Sequence, residues 1–165
     1  MIKVHFIHGL NSSPQGNKAR LLAAHFDATT PAMDTSDFEG CIDTHIQALR
    51  KAPPHVAVGS SFGGAVLCAL IQRCAWTGPS LFLAQAAVRR GMPLQLPIKS
   101  PVYIVHGLRD EVVNIDDSRK LYAANAGSHV RLIEVDDDHS LHASATNGAL
   151  ITWIEELAAV STHCP

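Results

Sequence analysis

The chain has 165 residues, 47% of them hydrophobic and 17% charged, so it is long enough to bury roughly 70% of its unfolded surface and has the composition of an ordinary globular protein. A formal net charge of −2 with no basic run excludes the electrostatic footprint of a nucleic-acid binder. No stretch is long and apolar enough to cross a bilayer, so neither nucleic acid nor membrane is expected as a partner, and residues 1–165 read as a single domain.

The first element is a strand-like run, Ile2 to Ile7, leading into His8-Gly9-Leu10-Asn11-Ser12-Ser13-Pro14. Asn17 to Phe26 carries Leu21, Leu22 and Phe26 at helical spacing. Ala28 to Met33 has room for a short strand, opposed by Pro31. Cys41 to Lys51 is an amphipathic helix with Ile42, Ile46 and Leu49 on one face. His55 to Gly59 is the second clear strand, and the apolar run from Phe62 to Trp76 after it reads as a helix. Ser80 to Ala84, Val102 to His106 and Val130 to Val135 are further strands, Met92 to Pro101 is a surface loop, and Asp116 to Asn125 and His142 to Ala159 are helices. Short apolar strands alternating with helices imply a mostly parallel sheet covered on both faces, a three-layer α/β architecture. In such folds the site lies in loops at the carboxyl ends of the strands.

Gly59-Ser60-Ser61-Phe62-Gly63 fits G-x-S-x-G at a strand-to-helix junction, the signature of a nucleophile elbow. The sharp turn raises the serine hydroxyl above the sheet edge, and its glycines leave room that larger side chains would fill. A serine hydroxyl needs a general base, and an imidazole serving as one needs an anion on its far nitrogen. In this arrangement the expected order is serine, acid, histidine. Asp110 follows the strand Val102 to His106, and His139 follows the strand Val130 to Val135, both on loops that leave a carboxyl end. Phe62 N–H, just after the nucleophile, is one expected oxyanion donor. Leu10 N–H, in the loop after the first strand, is the other, ahead of Gly9.

Other side chains compete with these. Ser60 is the wrong serine of the pentapeptide, and Ser12 and Ser13 read as caps or loop-bonding hydroxyls. Asp116 and Asp117 look like the acidic first turn of a helix. His142, the rival to His139, falls on the following helix. His8 and His106 each precede a glycine and are expected to shape the site by a hydrogen bond or packing. Arg89 and Arg90 fall near the mouth of the site, where they read as a solvated pair rather than an anion clamp. The ten histidines and four cysteines show no metal spacing, so no metal is expected. Met1-Ile2-Lys3-Val4-His5 does not have the pattern of a secretory signal, so Cys41, Cys68, Cys74 and Cys164 are expected as reduced thiols of a cytoplasmic protein.

Four segments carry a resemblance: Ile7-His8-Gly9-Leu10-Asn11-Ser12-Ser13-Pro14, Gly59-Ser60-Ser61-Phe62-Gly63-Gly64, His106-Gly107-Leu108-Arg109-Asp110-Glu111-Val112-Val113 and Asp138-His139. Together they make the chain similar to the alpha/beta hydrolases, and within them to the small YqiA-type esterases. The resemblance implies Ser61 as nucleophile, Asp110 as acid and His139 as base, and the hydrolysis of carboxylic esters without cofactor. Gly9 and Asn11 are candidates for substrate contact. Two departures stand out. The strand that carries His8-Gly9 comes first, which implies a minimal form lacking the two leading strands of larger relatives. Asn114 stands where relatives often have proline. Only a short segment, Ala86 to Pro101, occupies the place where relatives insert a lid, which favours an open site and small or short-acyl esters. A thioesterase or lyase on the same site, and a non-catalytic binding module, are the competing readings. A monomer or small homo-oligomer is expected.

Overall fold

The computed structural model describes residues 1–161; Cys164 lies outside the described residues. In chain order the elements are β1 (Lys3–Ile7), α1 (Asn17–His25), β2 (Asp27–Thr29), α2 (Phe38–Lys51), β3 (Val56–Ser60), α3 (Phe62–Gln72), β4 (Ser80–Leu83), β5 (Val102–Gly107), α4 (Ile115–Ala124), β6 (Val130–Val135), α5 (His142–Thr146) and α6 (Ala149–Ser161). The strands form one sheet in the order β2-β1-β3-β4-β5-β6, and every pairing is parallel. The sheet is therefore wholly, not mostly, parallel among the described residues.

Alternation along each strand sends successive side chains to opposite faces. Ile7, Ala57, Phe82 and Ile104 join α2, α3 and α4 through Ile42, Leu67, Leu70 and Leu121 on one face. Phe6, Val58, Leu83 and Val105 meet α1 and α6 through Leu22, Ile154 and Leu157 on the other. The central strand β3 and the helix after it are buried along almost their whole length. From β1 the chain winds first to β2 on one side, then to β3 on the other. This reversal opens a crevice outside the carboxyl ends of β1 and β3, where such sheets bind ligands.

Several expected boundaries move. The amphipathic helix starts at Phe38 because Asp37 caps it, its carboxylate accepting from Gly40 N–H at 2.9 Å. The strand after α1 is confined to Asp27–Thr29 and stops short of Pro31. The helix after β3 ends at Gln72, so Cys74 lies beyond it in a left-handed turn and is exposed, while Cys68 is buried. The last helical stretch is two helices, because Gly148 takes a left-handed φ of 87° between them. The segment 92–101 is pinned rather than loose: Leu96 and Ile98 are buried, and Asn125 Oδ1 accepts from Leu96 N–H.

Candidate active site

The crevice is built around Ser61. This residue sits between β3 and α3 at φ 53° and ψ −114°, a conformation that costs a non-glycine residue about 1–3 kcal/mol. The turn can be tight because glycines stand two residues before and two residues after Ser61. A Cβ on Gly59 would come within 2.5 Å of Gly63 O, and one on Gly63 would run into Ile7 O at the end of β1. Ser61 N–H donates to Leu83 O, and Ser61 O accepts from Gly64 N–H and Ala86 N–H, so both β4 and α3 hold the strained residue in place.

Two other loops reach it. His139, four residues beyond β6, places Nε2 3.1 Å from Ser61 Oγ and Nδ1 2.8 Å from Asp110 Oδ2. Its side chain is 25% exposed, whereas that of Asp110 is fully buried. Asp110 Oδ1 accepts from the N–H groups of Val112 and Val113, both at 2.8 Å. Burial alone would raise the Asp110 carboxyl. Hydrogen bonds from Val113 N–H, His139 and Val112 N–H outweigh that effect and hold it below the usual carboxylate range. The loops bearing Asp110 and His139 pack tightly: a Cβ on Gly107 would stand 2.5 Å from Asp137 O.

His106 supplies a further donor. Its buried ring lies behind Asp110, with Nε2 3.0 Å from both Asp110 Oδ2 and Val113 O. Both are acceptors, which assigns the proton to Nε2. Nδ1 lies 2.7 Å from Ser118 Oγ, and that oxygen in turn accepts from Gln85 Nε2 at 3.3 Å. In the neutral ring, donors and acceptors then alternate without conflict from Gln85 through Ser118, His106, Asp110 and His139 to Ser61.

The crevice opens as a cleft of about 940 Å³, near the top of the range for small-molecule sites. Ser61, His139, Gly9, Leu10, Asn11 and Phe62 all line it. A Cβ on Gly9 would lie 3.5 Å from Ser61 Cβ, so the loop after β1 passes directly against the elbow. Phe62 is the first residue of α3, where an N–H has no acceptor within its own helix. Among the described residues no hydrogen bond engages Phe62 N–H or Leu10 N–H. Leu10 and Val112 stand at the rim, 54% and 57% exposed.

No protein-family model matches the sequence, and no curated protein does either. Solved structures match along almost the whole chain. Mouse alpha/beta hydrolase domain-containing protein 10 superimposes with a TM-score of 0.78 at 18% identity, over 94% of this chain and 88% of that one. A Xanthomonas campestris pv. campestris protein, assigned as a candidate hydrolase of the alpha/beta superfamily, gives 0.72 at 20% identity over 99% and 98%. An esterase domain from Rhodothermus marinus gives 0.67 at 18% identity over 97% and 85%. This is the alpha/beta hydrolase fold.

Within that fold the rival side chains separate. Asp116 and Asp117 occupy the first turn of α4, and Asn114 is its N-cap, with Oδ1 accepting from Asp116 N–H. That capping role gives asparagine its own reason to stand at this position. Ser13 Oγ accepts from Gln15 N–H within the loop, while Gly16 rather than a serine caps α1. Ser60 is buried at the end of β3 and also lines the cleft. His142 begins α5 and borders the cleft without reaching Ser61 or Asp110 within hydrogen-bond distance. His8 is buried, with Nδ1 2.9 Å from Gly9 O, so it holds the loop that carries Leu10. Its Nε2 has no partner among the described residues. Ser118 and Gln85 are not legible in the sequence, since neither belongs to a motif and only folding brings them to His106. Among the described residues, no group of three or more His, Cys, Asp or Glu is arranged to hold a metal ion, and no helix is long and apolar enough to cross a membrane.

Proposed function

We propose that this chain is a serine hydrolase that cleaves carboxylic esters through an acyl-enzyme. One observation carries the reading: the unbroken hydrogen-bond line from Ser61 Oγ through His139 to a carboxylate with no exposed surface of its own. Ser61 Oγ attacks the carbonyl carbon as its proton passes to His139 Nε2, and the carbonyl oxygen becomes an oxyanion. Leu10 N–H and Phe62 N–H receive that charge. Losing one such donor costs an enzyme about 10²- to 10³-fold in kcat. The tetrahedral intermediate collapses as His139 returns the proton to the departing alkoxide. Water then attacks the acyl-enzyme, giving its proton to His139, and the acid is released as Ser61 recovers its hydrogen. Asp110 keeps the Nδ1 proton in place and stabilises the imidazolium in both halves.

The alpha/beta hydrolase fold and the neighbouring esterase domain support the ester reading, as does the motif resemblance to the small YqiA-type esterases. Hydrolysis of 4-nitrophenyl butyrate tests it. The native protein is expected to turn over, and Ser61→Ala to lose at least about 10⁴-fold in kcat, as when a nucleophile of this kind is removed. Equal rates in the two proteins would assign any turnover to something other than this serine. Running the matched butyryl thioester beside it sorts esterase from thioesterase.

A further inference from the structure

Among the described residues, no carboxylate forms an ion pair with the cations of the cleft. Lys18, Arg89 and Arg90 all line it, and no aspartate or glutamate does, in a chain whose formal net charge is −2. Elsewhere Arg73, Arg109, Arg119 and Arg131 each pair with a carboxylate, while among the described residues no ion pair engages Arg20 or Arg50. Arg90 instead lays its guanidinium over the rings of Phe38 and Phe62, 4.8 and 5.1 Å from their centroids. Stacking uses the flat face of the group and leaves its N–H edges free. It also anchors the charge beside the residue that follows Ser61. Arg89 donates to Val112 O at 2.6 Å, which uses one of its five N–H groups and neutralises none of its charge.

Lys18 is the most telling of the three. Burial lowers its pKa, and Asp138 and Asp137 act on it only from beyond ion-pair distance. Both carboxylates accept hydrogen bonds from their own loop. Asp137 accepts from the N–H groups of Asp138, Ala143 and Ser144 and from the Ser144 hydroxyl. Asp138 Oδ1 accepts from Ser140 N–H and Oγ. An ammonium partly withdrawn from water without an anion in contact is costly, and a concave site lined by one sign of charge concentrates the opposite sign. The ester group itself is neutral, so the charge that answers these cations has to sit elsewhere on the substrate.

We infer that the cleft takes esters that carry a second, anionic oxygen group, held by Lys18, Arg89 and Arg90 while the ester carbonyl lies against Ser61. This rests on the hydrolytic reading above and narrows its substrate class. The anion can belong to the acyl half or to the alcohol half, and the two are separable. Three probes serve: neutral 4-nitrophenyl butyrate, 4-nitrophenyl hydrogen glutarate with its carboxylate on the acyl side, and 3-carboxy-4-nitrophenyl butyrate with its carboxylate on the leaving group. At low ionic strength at least one charged probe is expected to exceed the neutral one by about tenfold or more in kcat/KM, the scale of electrostatic focusing in a charged cleft. Added salt should shrink that ratio, and Lys18→Met or Arg90→Met should bring it toward unity. A neutral probe that outruns both charged ones, or a ratio indifferent to these substitutions, overturns the inference while leaving the esterase reading intact. If no ester turns over, the esterase reading fails and binding decides the charge question. Glutarate titrated calorimetrically into Ser61→Ala should then bind saturably and cease to bind in Ser61→Ala/Lys18→Met. A titration without heat overturns the inference.

Discussion

In the proposed mechanism His139 stands between two oxygens that make opposite demands on it: Ser61 Oγ gives it a proton, and Asp110 keeps one on its far nitrogen. The chemistry therefore depends on how strongly Asp110 pulls. Two backbone N–H groups and His106 Nε2–H already share its charge with His139. Removing the His106 donor leaves Asp110 with one hydrogen bond fewer to fix its carboxylate. His106→Leu is thus expected to lower kcat with little change in KM, and His106→Gln, whose amide can donate in its place, to recover part of the loss. A kcat unchanged in His106→Leu would reduce His106 to simple packing. At this scale the sequence is legible where a motif names the residue. Ser61, Asp110 and His139 are marked by their positions after strands. The support behind Asp110 is not, because Gln85, Ser118 and His106 lie on three different stretches and meet only once β4, β5 and α4 have packed.

At the scale of elements, the elbow is a packing problem solved by absent side chains. Gly63 lies against the last carbonyls of β1, and the backbone there is fixed by the parallel ladder between β1 and β3. Gly63→Ala has no flexible neighbour to displace, so it is expected to cost about 3 kcal/mol, the upper part of the usual overpacking range. Urea denaturation of the variant checks this through its midpoint at unchanged slope. A midpoint equal to that of the native protein would mean that the β1–α3 contact yields to a methyl group. Five of the six strands are legible because each is a short run rich in apolar residues, and so is the helix of Cys41 to Lys51, because its stripe has the right period; β2, Asp27–Thr29, has no such run. What escaped was punctuation. Asp37 lengthens α2 at its start, and Gly148 breaks the last helical stretch in two. Both effects depend on single residues whose neighbours carry an uninterrupted pattern, so periodicity runs straight past them.

Across the whole molecule, two apolar layers clamp a parallel sheet, and polar groups trapped between them set how it responds to acid. His5 on β1 and His45 on α2 are buried with His5 Nε2 2.8 Å from His45 Nδ1, and His45 Nε2 lies 3.3 Å from Met33 Sδ. Burial lowers the pKa of His5 to about 4, and burial together with the neighbouring rings of His5 and His8 lowers that of His45 to about 3. The unfolded chain binds protons at these positions from about pH 6.5 downward, but the folded chain does not. Stability is therefore complete above pH 6.5 and falls as the pH drops from there toward 4, by about 1.4 kcal/mol per pH unit for each histidine. Unfolding free energies measured between pH 4.5 and 7.5 check the slope, which the double variant His5→Leu/His45→Leu should flatten. The same layers exist to hold three loops over one sheet edge, and the direct check on that arrangement is covalent. Treated with a fluorophosphonate, the native protein is expected to gain a single phosphonyl adduct on the peptide containing Ser61, at a rate that falls by orders of magnitude in His139→Ala. An unlabelled Ser61, or one labelled as fast without His139 as with it, would contradict an activated nucleophile at this site.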